Sequence, residues 1–301
     1  MGATLPRVFL LLGLLLAATA SSLPDIPLTL RGDVLRIAVA GDTGDGAETV
    51  ARGIAAVHRA LPLDAIILTG DNFYPCGVRS ESDDRWSLIT PLTTIGPPVF
   101  PVLGNHDYCG EADPKAQVRA TGHVRNWHLP ARQYMVHASL ADFLFLDTTP
   151  FAKGYGNVSK VIRDAFAKPG APWRIVVAHH PVLSSGYHGY FPRREVARLR
   201  ALVPALEDVH ADLYIAGHDH HLELIRGRSM LHLISGAGSS PIPPIRLRAR
   251  TVFPAEIRLE RIGFAVVEIS RDAIRVRMYD GDGRPRSAWI SGRVRRQAPA
   301  K

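Results

Sequence analysis

Gly41-Asp42-Thr43-Gly44, Gly70-Asp71-Asn72-Phe73-Tyr74, Gly104-Asn105-His106-Asp107, His179-His180-Pro181 and Gly217-His218-Asp219-His220 each stand just after an apolar run. The runs, at 36–40, 65–69, 99–103, 174–178 and 212–216, read as strands. In open α/β sheets, chemistry collects beyond the carboxyl ends of the strands. Five strands ending in Asp, Asp with Tyr, Asn with His, His, and His-x-His would bring hard oxygen and imidazole donors to one place. Such donors suit a pair of metal ions, and two-metal sites commonly serve phosphate esters.

Working outward, the chain has 301 residues, 46% apolar and 21% charged. That length supports a sizeable core without a dense disulfide framework. The start reads as an export signal spanning 1–20, with Arg7 as its basic region and an apolar run at 8–16. Ala18-Thr19-Ala20 is a small-residue cleavage pattern with cleavage expected after Ala20. The run is shorter than the ~20 residues that a membrane span needs. The expectation is therefore a secreted or periplasmic protein that keeps no membrane contact after cleavage. Cys76 and Cys109 are the two cysteines, and both fall in loops on the same rim of the sheet. In an exported chain this leads to the expectation of a bridge, with two unpaired thiols as the alternative.

Lysine and arginine outnumber acidic residues 36 to 28, a net charge of +8. The arginine runs at 193–200, 246–250 and 284–296 lack the interleaved aromatics that stack on bases. A basic surface that draws anionic substrates fits better than nucleic-acid binding.

Strand-like and helix-like segments alternate through the first two-thirds, which argues for an α/β fold. Helices are expected over 47–60, over 82–92 with Ser82 or Asp83 as cap, over 157–168, and over 193–206 with a break near Pro204. The pattern changes after Asp142: 143–146 reads as a strand, and after the last histidine motif come strands at 222–225, 230–234, 263–269 and 274–279 with few helices between them. The second half therefore reads as a second sheet packed on the first. One domain is expected over 21–301, with its core at 34–290 and a surface loop at 240–254.

Each motif alone has a plain structural reading as a turn, an Asx cap or a local hydrogen-bonding pair. Their joint order carries the weight. That order resembles the calcineurin-like metallophosphoesterases, and among them the purple acid phosphatases of the small tartrate-resistant type. The resemblance covers about 36–290 and includes Ser235-Gly236-Ala237-Gly238 and the strand beginning Gly263-Phe264-Ala265. It implies two mixed β-sheets packed as a sandwich and flanked by helices in α-β-β-α layers. Most of the superfamily begins with Asp-x-His, whose histidine is a ligand. Here that position is Gly44, and Tyr74 is placed to substitute. A phenolate is a hard donor, and a trivalent ion compensates for its lost proton better than a divalent one.

The resemblance thus implies Fe(III) held by Asp42, Tyr74 and His220, with Asp71 bridging to a second ion. Asn105, His179 and His218 would complete the second site, for divalent Fe, Zn or Mn. It further implies a phosphatase that hydrolyses phosphate monoesters by attack of a metal-bound hydroxide. The expected substrates are small phosphate esters or phosphoproteins. Phosphodiesterase or nucleotide-hydrolase activity with two divalent ions is the main alternative. A non-catalytic phosphate-binding protein is a further one, against which the intact donor set argues.

His106, next to Asn105, and His188, nine residues after His179, are the candidates for acid and phosphate-contact roles. Asp107 and Asp219 are expected to orient nearby imidazoles, and His180 is a candidate substrate contact. His58, His123, His128, His137, His210 and His232 read as core or surface residues. Asn157-Val158-Ser159 is a glycosylation sequon.

Overall fold

The computed structural model describes residues 23–190, 193–242 and 261–292. The expected signal segment 1–20 and most of the loop 240–254 lie outside them. The first elements are β1 (Asp25–Pro27), β2 (Leu35–Ala40), α1 (Ala47–Ala60), β3 (Ala65–Leu68), α2 (Trp86–Thr93) and β4 (Val99–Pro101). Next come α3 (Pro114–Arg119), β5 (Gln133–His137), β6 (Ala141–Leu146), α4 (Thr149–Ala152), α5 (Val158–Ala165), β7 (Trp173–Ala178), α6 (Tyr187–Tyr190), α7 (Arg194–Arg200) and α8 (Val203–Asp208). The last are β8 (Leu213–Ala216), β9 (Leu222–Arg226), β10 (Leu231–Ser235), β11 (Gly263–Ile269), β12 (Ile274–Asp280) and β13 (Ile290–Gly292). No helix among the described residues is long and apolar enough to cross a membrane.

These strands form two mixed sheets, ordered β1-β5-β6-β7-β8-β10-β9 and β13-β12-β11-β2-β3-β4. Alternation along the strands explains how the first sheet is covered on both faces. Tyr134, Val136, Phe143, Phe145, Ile175, Val177, Leu213 and Ile215 belong to the core shared with the second sheet. Their alternates Met135, Leu144, Leu146, Val176, Ala178, Tyr214 and Ala216 pack with Ile162 of α5, Leu199 of α7 and Leu206 of α8. On the far side, α1 brings Val50, Ile54 and Val57, spaced for one helical face, into the core. The result is the expected α-β-β-α layering.

The sheets do not divide the chain into halves, which corrects the expectation of a second sheet built from the second half. Strands β2, β3 and β4 pair in parallel, and β11 joins them antiparallel beside β2. The C-terminal strands thus complete the sheet begun by the first ones, whereas β9 and β10 extend the other sheet beside β8. Local periodicity reports burial but not the partner strand.

Helix boundaries shifted for identifiable reasons. Before α2, the Asp83 carboxylate accepts from the backbone N–H of Arg79 and Arg85 and pairs with both guanidinium groups. It closes a turn and does not cap the helix. Asn157 does cap α5, accepting from Lys160 N at 3.2 Å. The helix expected over 193–206 is two, because Pro204 sits in the first turn of α8. Proline is tolerated there, so the break falls upstream of it.

Cys76 and Cys109 are bridged, with Cα atoms 5.3 Å apart. The bond ties the loop after β3 to the loop after β4 and closes 33 residues of sequence separation. Replacing both cysteines with serine is expected to cost about 3–4 kcal/mol of stability in the chain-entropy treatment of loop closure. Urea unfolding of the oxidised protein beside the double variant measures it.

Candidate metal centre

All five motifs lie at carboxyl ends of strands, but of strands in different sheets. Asp42, Asp71 and Asn105 follow β2, β3 and β4, whereas His179 and the pair His218 and His220 follow β7 and β8. The site therefore straddles the sandwich. Among the described residues, five non-glycine positions have positive φ, and three of these are Asp42 (55°), Asp71 (50°) and His218 (65°). Backbone strain is thus concentrated where the donors are presented. Buried hydrogen bonds compensate for it: Asp42 N donates to Gly70 O at 3.0 Å, and Asp42 Oδ2 accepts from His218 N at 2.9 Å.

Seven side chains converge in two adjoining cages. In the first, the Tyr74 hydroxyl lies 3.4 Å from Asp42 Oδ1, 3.3 Å from Asp71 Oδ2 and 3.2 Å from His220 Nε2. In the second, His179 Nε2 lies 3.5 Å from Asp71 Oδ1, 3.0 Å from Asn105 Oδ1 and 3.1 Å from His218 Nδ1. Asp71 turns one carboxylate oxygen to each cage. His179 Nδ1 donates to the Thr69 carbonyl at 2.8 Å, which leaves the Nε2 lone pair facing the cage.

Gly44 explains how Tyr74 reaches its place. A Cβ on Gly44, at φ +37°, would stand 2.0 Å from Tyr74 Cδ2. The ring occupies the space that any side chain at 44 would need. Gly104 has a related role, since a Cβ there would meet Asp71 Oδ1 at 2.2 Å.

The electrostatics fit cation binding. Burial raises the Asp71 carboxyl, and Asp42 adds to the rise against the opposing pull of His179 and His106. Burial, then Asp42 and Asp71, push the Tyr74 phenol far above its ordinary value. Burial lowers His220, but Asp42 overrides it and holds the imidazole up at about 9. Burial and neighbouring imidazoles keep His218 and His180 well below the usual range. The Asp71 carboxyl and the Tyr74 phenol are buried groups whose anionic forms are costly unless paired with positive charge, and neutral imidazoles keep a lone pair for a cation. The donor set, two carboxylates, a phenol, an amide oxygen and three imidazoles, suits hard to borderline metal ions.

The remaining expectations divide. His106 edges onto the Tyr74 ring, its Nδ1 bonds the Pro75 carbonyl at 2.7 Å, and its Nε2 lies 3.9 Å from Asp71 Oδ2. His188 packs its ring 4.0 Å from that of His218, and burial lowers its pKa. Asp107 orients no imidazole. It is fully buried and accepts from Gly104 N, Asn72 N and Gln117 Nε2, so it braces the two loops that carry Asp71 and Asn105. Asp219 accepts from the backbone N–H groups of His188 and Gly189, and so fixes that segment. His180 is 1% exposed, bonds Thr148 Oγ1 and packs its ring against those of His179 and His218. Sequence reasoning missed Glu195, whose carboxylate lies 3.4 Å from His180 Nε2 and 3.7 Å from His218 Nε2. No motif marks it, because it sits within an arginine-rich helix.

The profile of the calcineurin-like phosphoesterase family matches residues 35–222. Purple acid phosphatase 3 of Arabidopsis thaliana is 30% identical over 269 residues, covering 80% of this chain and 72% of that protein. The chain belongs to the calcineurin-like phosphoesterases, and within them to the purple acid phosphatases. It is accordingly a hydrolase of phosphoric esters. Tartrate-resistant acid phosphatase type 5 of Sus scrofa is 27% identical over 275 residues, with 78% of this chain and 77% of that one covered. Among solved structures, GAP50, described as the anchor in the inner membrane complex of Plasmodium, superposes with a TM-score of 0.73. It is 25% identical, and 88% of this chain and 90% of that chain are covered. The purple acid phosphatase PPD1 of yellow lupin shares the fold, at TM-score 0.65 and 18% identity, over 87% of this chain and 54% of that one.

Two outcomes are expected. Gly44→Ala should displace the Tyr74 ring and cost roughly 1–3 kcal/mol of stability, as overpacking does, measured by denaturant unfolding. The pH dependence of the metal-free protein follows from His220, raised from 6.5 to about 9 in the folded state. Its pairing with Asp42 stabilises the fold fully below the unfolded value and is lost as pH rises through the folded one. Melting temperatures of chelator-treated protein should therefore fall between pH 7 and 9, and Asp42→Asn should flatten that slope.

Proposed function

We propose that this protein is an exported phosphatase that hydrolyses phosphate monoesters at an Fe(III)–M(II) centre, M being Fe, Zn or Mn. The observation that carries the reading is the convergence of seven donors on two cages that share Asp71, with Tyr74 filling the space above Gly44. Asp42, Tyr74 and His220, with Asp71, would hold the ferric ion. Asn105, His179 and His218, again with Asp71, would hold the divalent one. A trivalent and a divalent ion bring five positive charges, and ionised Asp42, Asp71 and Tyr74 bring three negative ones. The surplus favours a doubly charged monoester over a singly charged diester. When bound, the metal pair supplies Lewis acidity and lowers the pKa of water.

The protein's own groups orient the ester and handle its proton. His106 is anchored through Nδ1 to Pro75, so its Nε2 faces the cages and can donate to a phosphoryl or leaving-group oxygen. His188, pinned through its backbone by Asp219, borders the second cage and contributes a contact to the phosphate. Export is supported by the apolar run at 8–16, by Ala18-Thr19-Ala20 and by the Cys76–Cys109 bridge.

Metal analysis, a visible spectrum and an ester profile test the reading together. The purified protein should carry two metal ions and absorb in the visible through a tyrosinate–iron transition, and Tyr74→Phe should bleach that band while partly sparing hydrolysis. Asp71→Ala should bind neither ion and hydrolyse nothing. A colourless, fully active protein would refute the iron assignment and favour two divalent ions. Faster turnover of diesters than of monoesters would refute the substrate class.

A further inference from the structure

Among the seven donors, His218 keeps a buried nitrogen that the cages do not explain. His218 turns Nδ1 toward His179 Nε2 and the second cage, at 3.1 Å. Its opposite nitrogen, Nε2, is buried and has no hydrogen-bond partner among the described residues. If Nδ1 offers its lone pair to a cation, the ring proton must sit on Nε2. A buried N–H without an acceptor is costly, and imidazole ligands generally donate their second N–H to a carboxylate, carbonyl or water. The acceptor in place is the carboxylate of Glu195, at 3.7 Å.

The same oxygen lies 3.4 Å from His180 Nε2. His180 is set for the matching tautomer. The Thr148 hydroxyl accepts from His180 N and lies 2.9 Å from His180 Nδ1, where it can donate. The His180 ring proton then also sits on Nε2 and faces Glu195. The two imidazole rings pack 4.5 Å apart, so one carboxylate serves both. Glu195 projects from the first turn of α7, and its side chain is one-third exposed. A carboxylate shift of under about 1 Å brings it within hydrogen-bond distance of His218 Nε2.

We propose that Glu195 is a positioning residue for the second cage: it accepts from Nε2 of both His218 and His180, and so fixes the ring orientation and tautomer in which His218 presents Nδ1. This rests on the two-cage reading above. Losing such a partner typically lowers metal affinity about 10–100-fold. The effect should be selective, since no donor of the first cage touches Glu195.

Calorimetric titration of chelator-treated full-length protein with Zn(II) tests the inference. Wild type should bind two equivalents. Glu195→Ala should weaken one of the two binding events about 10–100-fold and leave the other within about twofold. Glu195→Gln keeps an acceptor oxygen and should stay near wild type. Glu195→Met, of similar size without an acceptor, should match the alanine variant and serves if alanine impairs folding. Unchanged affinities in Glu195→Ala and Glu195→Met would overturn the role. So would equal weakening of both events, which marks general destabilisation, or a third equivalent that disappears with Glu195, which makes it a ligand. Fewer than two equivalents in wild type would instead overturn the two-cage reading, and this inference with it.

Discussion

The buried Asp71 carboxylate sets the terms for everything around it. It sits beside a second buried carboxylate, Asp42, and a phenol, with burial raising the cost of every negative charge. Neither oxygen is spare. Oδ1 accepts from His106 N at 2.7 Å and faces His179, and Oδ2 faces Tyr74. Such a cluster persists in a folded protein when positive charge joins it. The left-handed turns that present Asp42, Asp71 and His218 are the structural side of the same requirement.

The loops bearing these donors are braced by other buried carboxylates. Asp107 links the segment after β3 to the segment after β4 through Asn72, Gly104 and Gln117, and the Cys76–Cys109 bond links the same two segments again. Asp219 grips the backbone at His188 and Gly189, and Glu223 accepts from Ser185 N, Ser185 Oγ and His221 Nε2. Donor positions are therefore fixed by polar contacts between loops, and the two sheets supply the rigid frame beneath. Because the donors come from both sheets, the packing of one sheet on the other sets the distance between the halves of the site.

Much of the site was legible before any coordinates. Asp42, Asp71, Tyr74, Asn105, His179, His218 and His220 all converge at strand ends, whereas the steric role of Gly44 in making room for the Tyr74 ring was not foreseen. The supporting residues were less legible. Asp107 and Asp219 were read as partners of imidazoles but bond mainly backbone amides, and Glu195 carried no motif at all. A polar residue that braces from another segment leaves no spacing signal, since its partner is set by folding and not by distance along the chain.

The amino-acid order alone determined the α/β class, the donor types and their strand-end positions, because apolar alternation, turn residues and ligand chemistry are local properties, whereas the α-β-β-α layering was implied by the family resemblance. Only the tertiary structure decided that β11 closes beside β2 while β9 and β10 extend the opposite sheet, that Asp107 and Asp219 brace backbone amides, and that Glu195 comes to lie against His218 and His180. Those depend on which surfaces meet when the sandwich packs, a matter of long-range burial and hydrogen bonding that no short window of sequence contains.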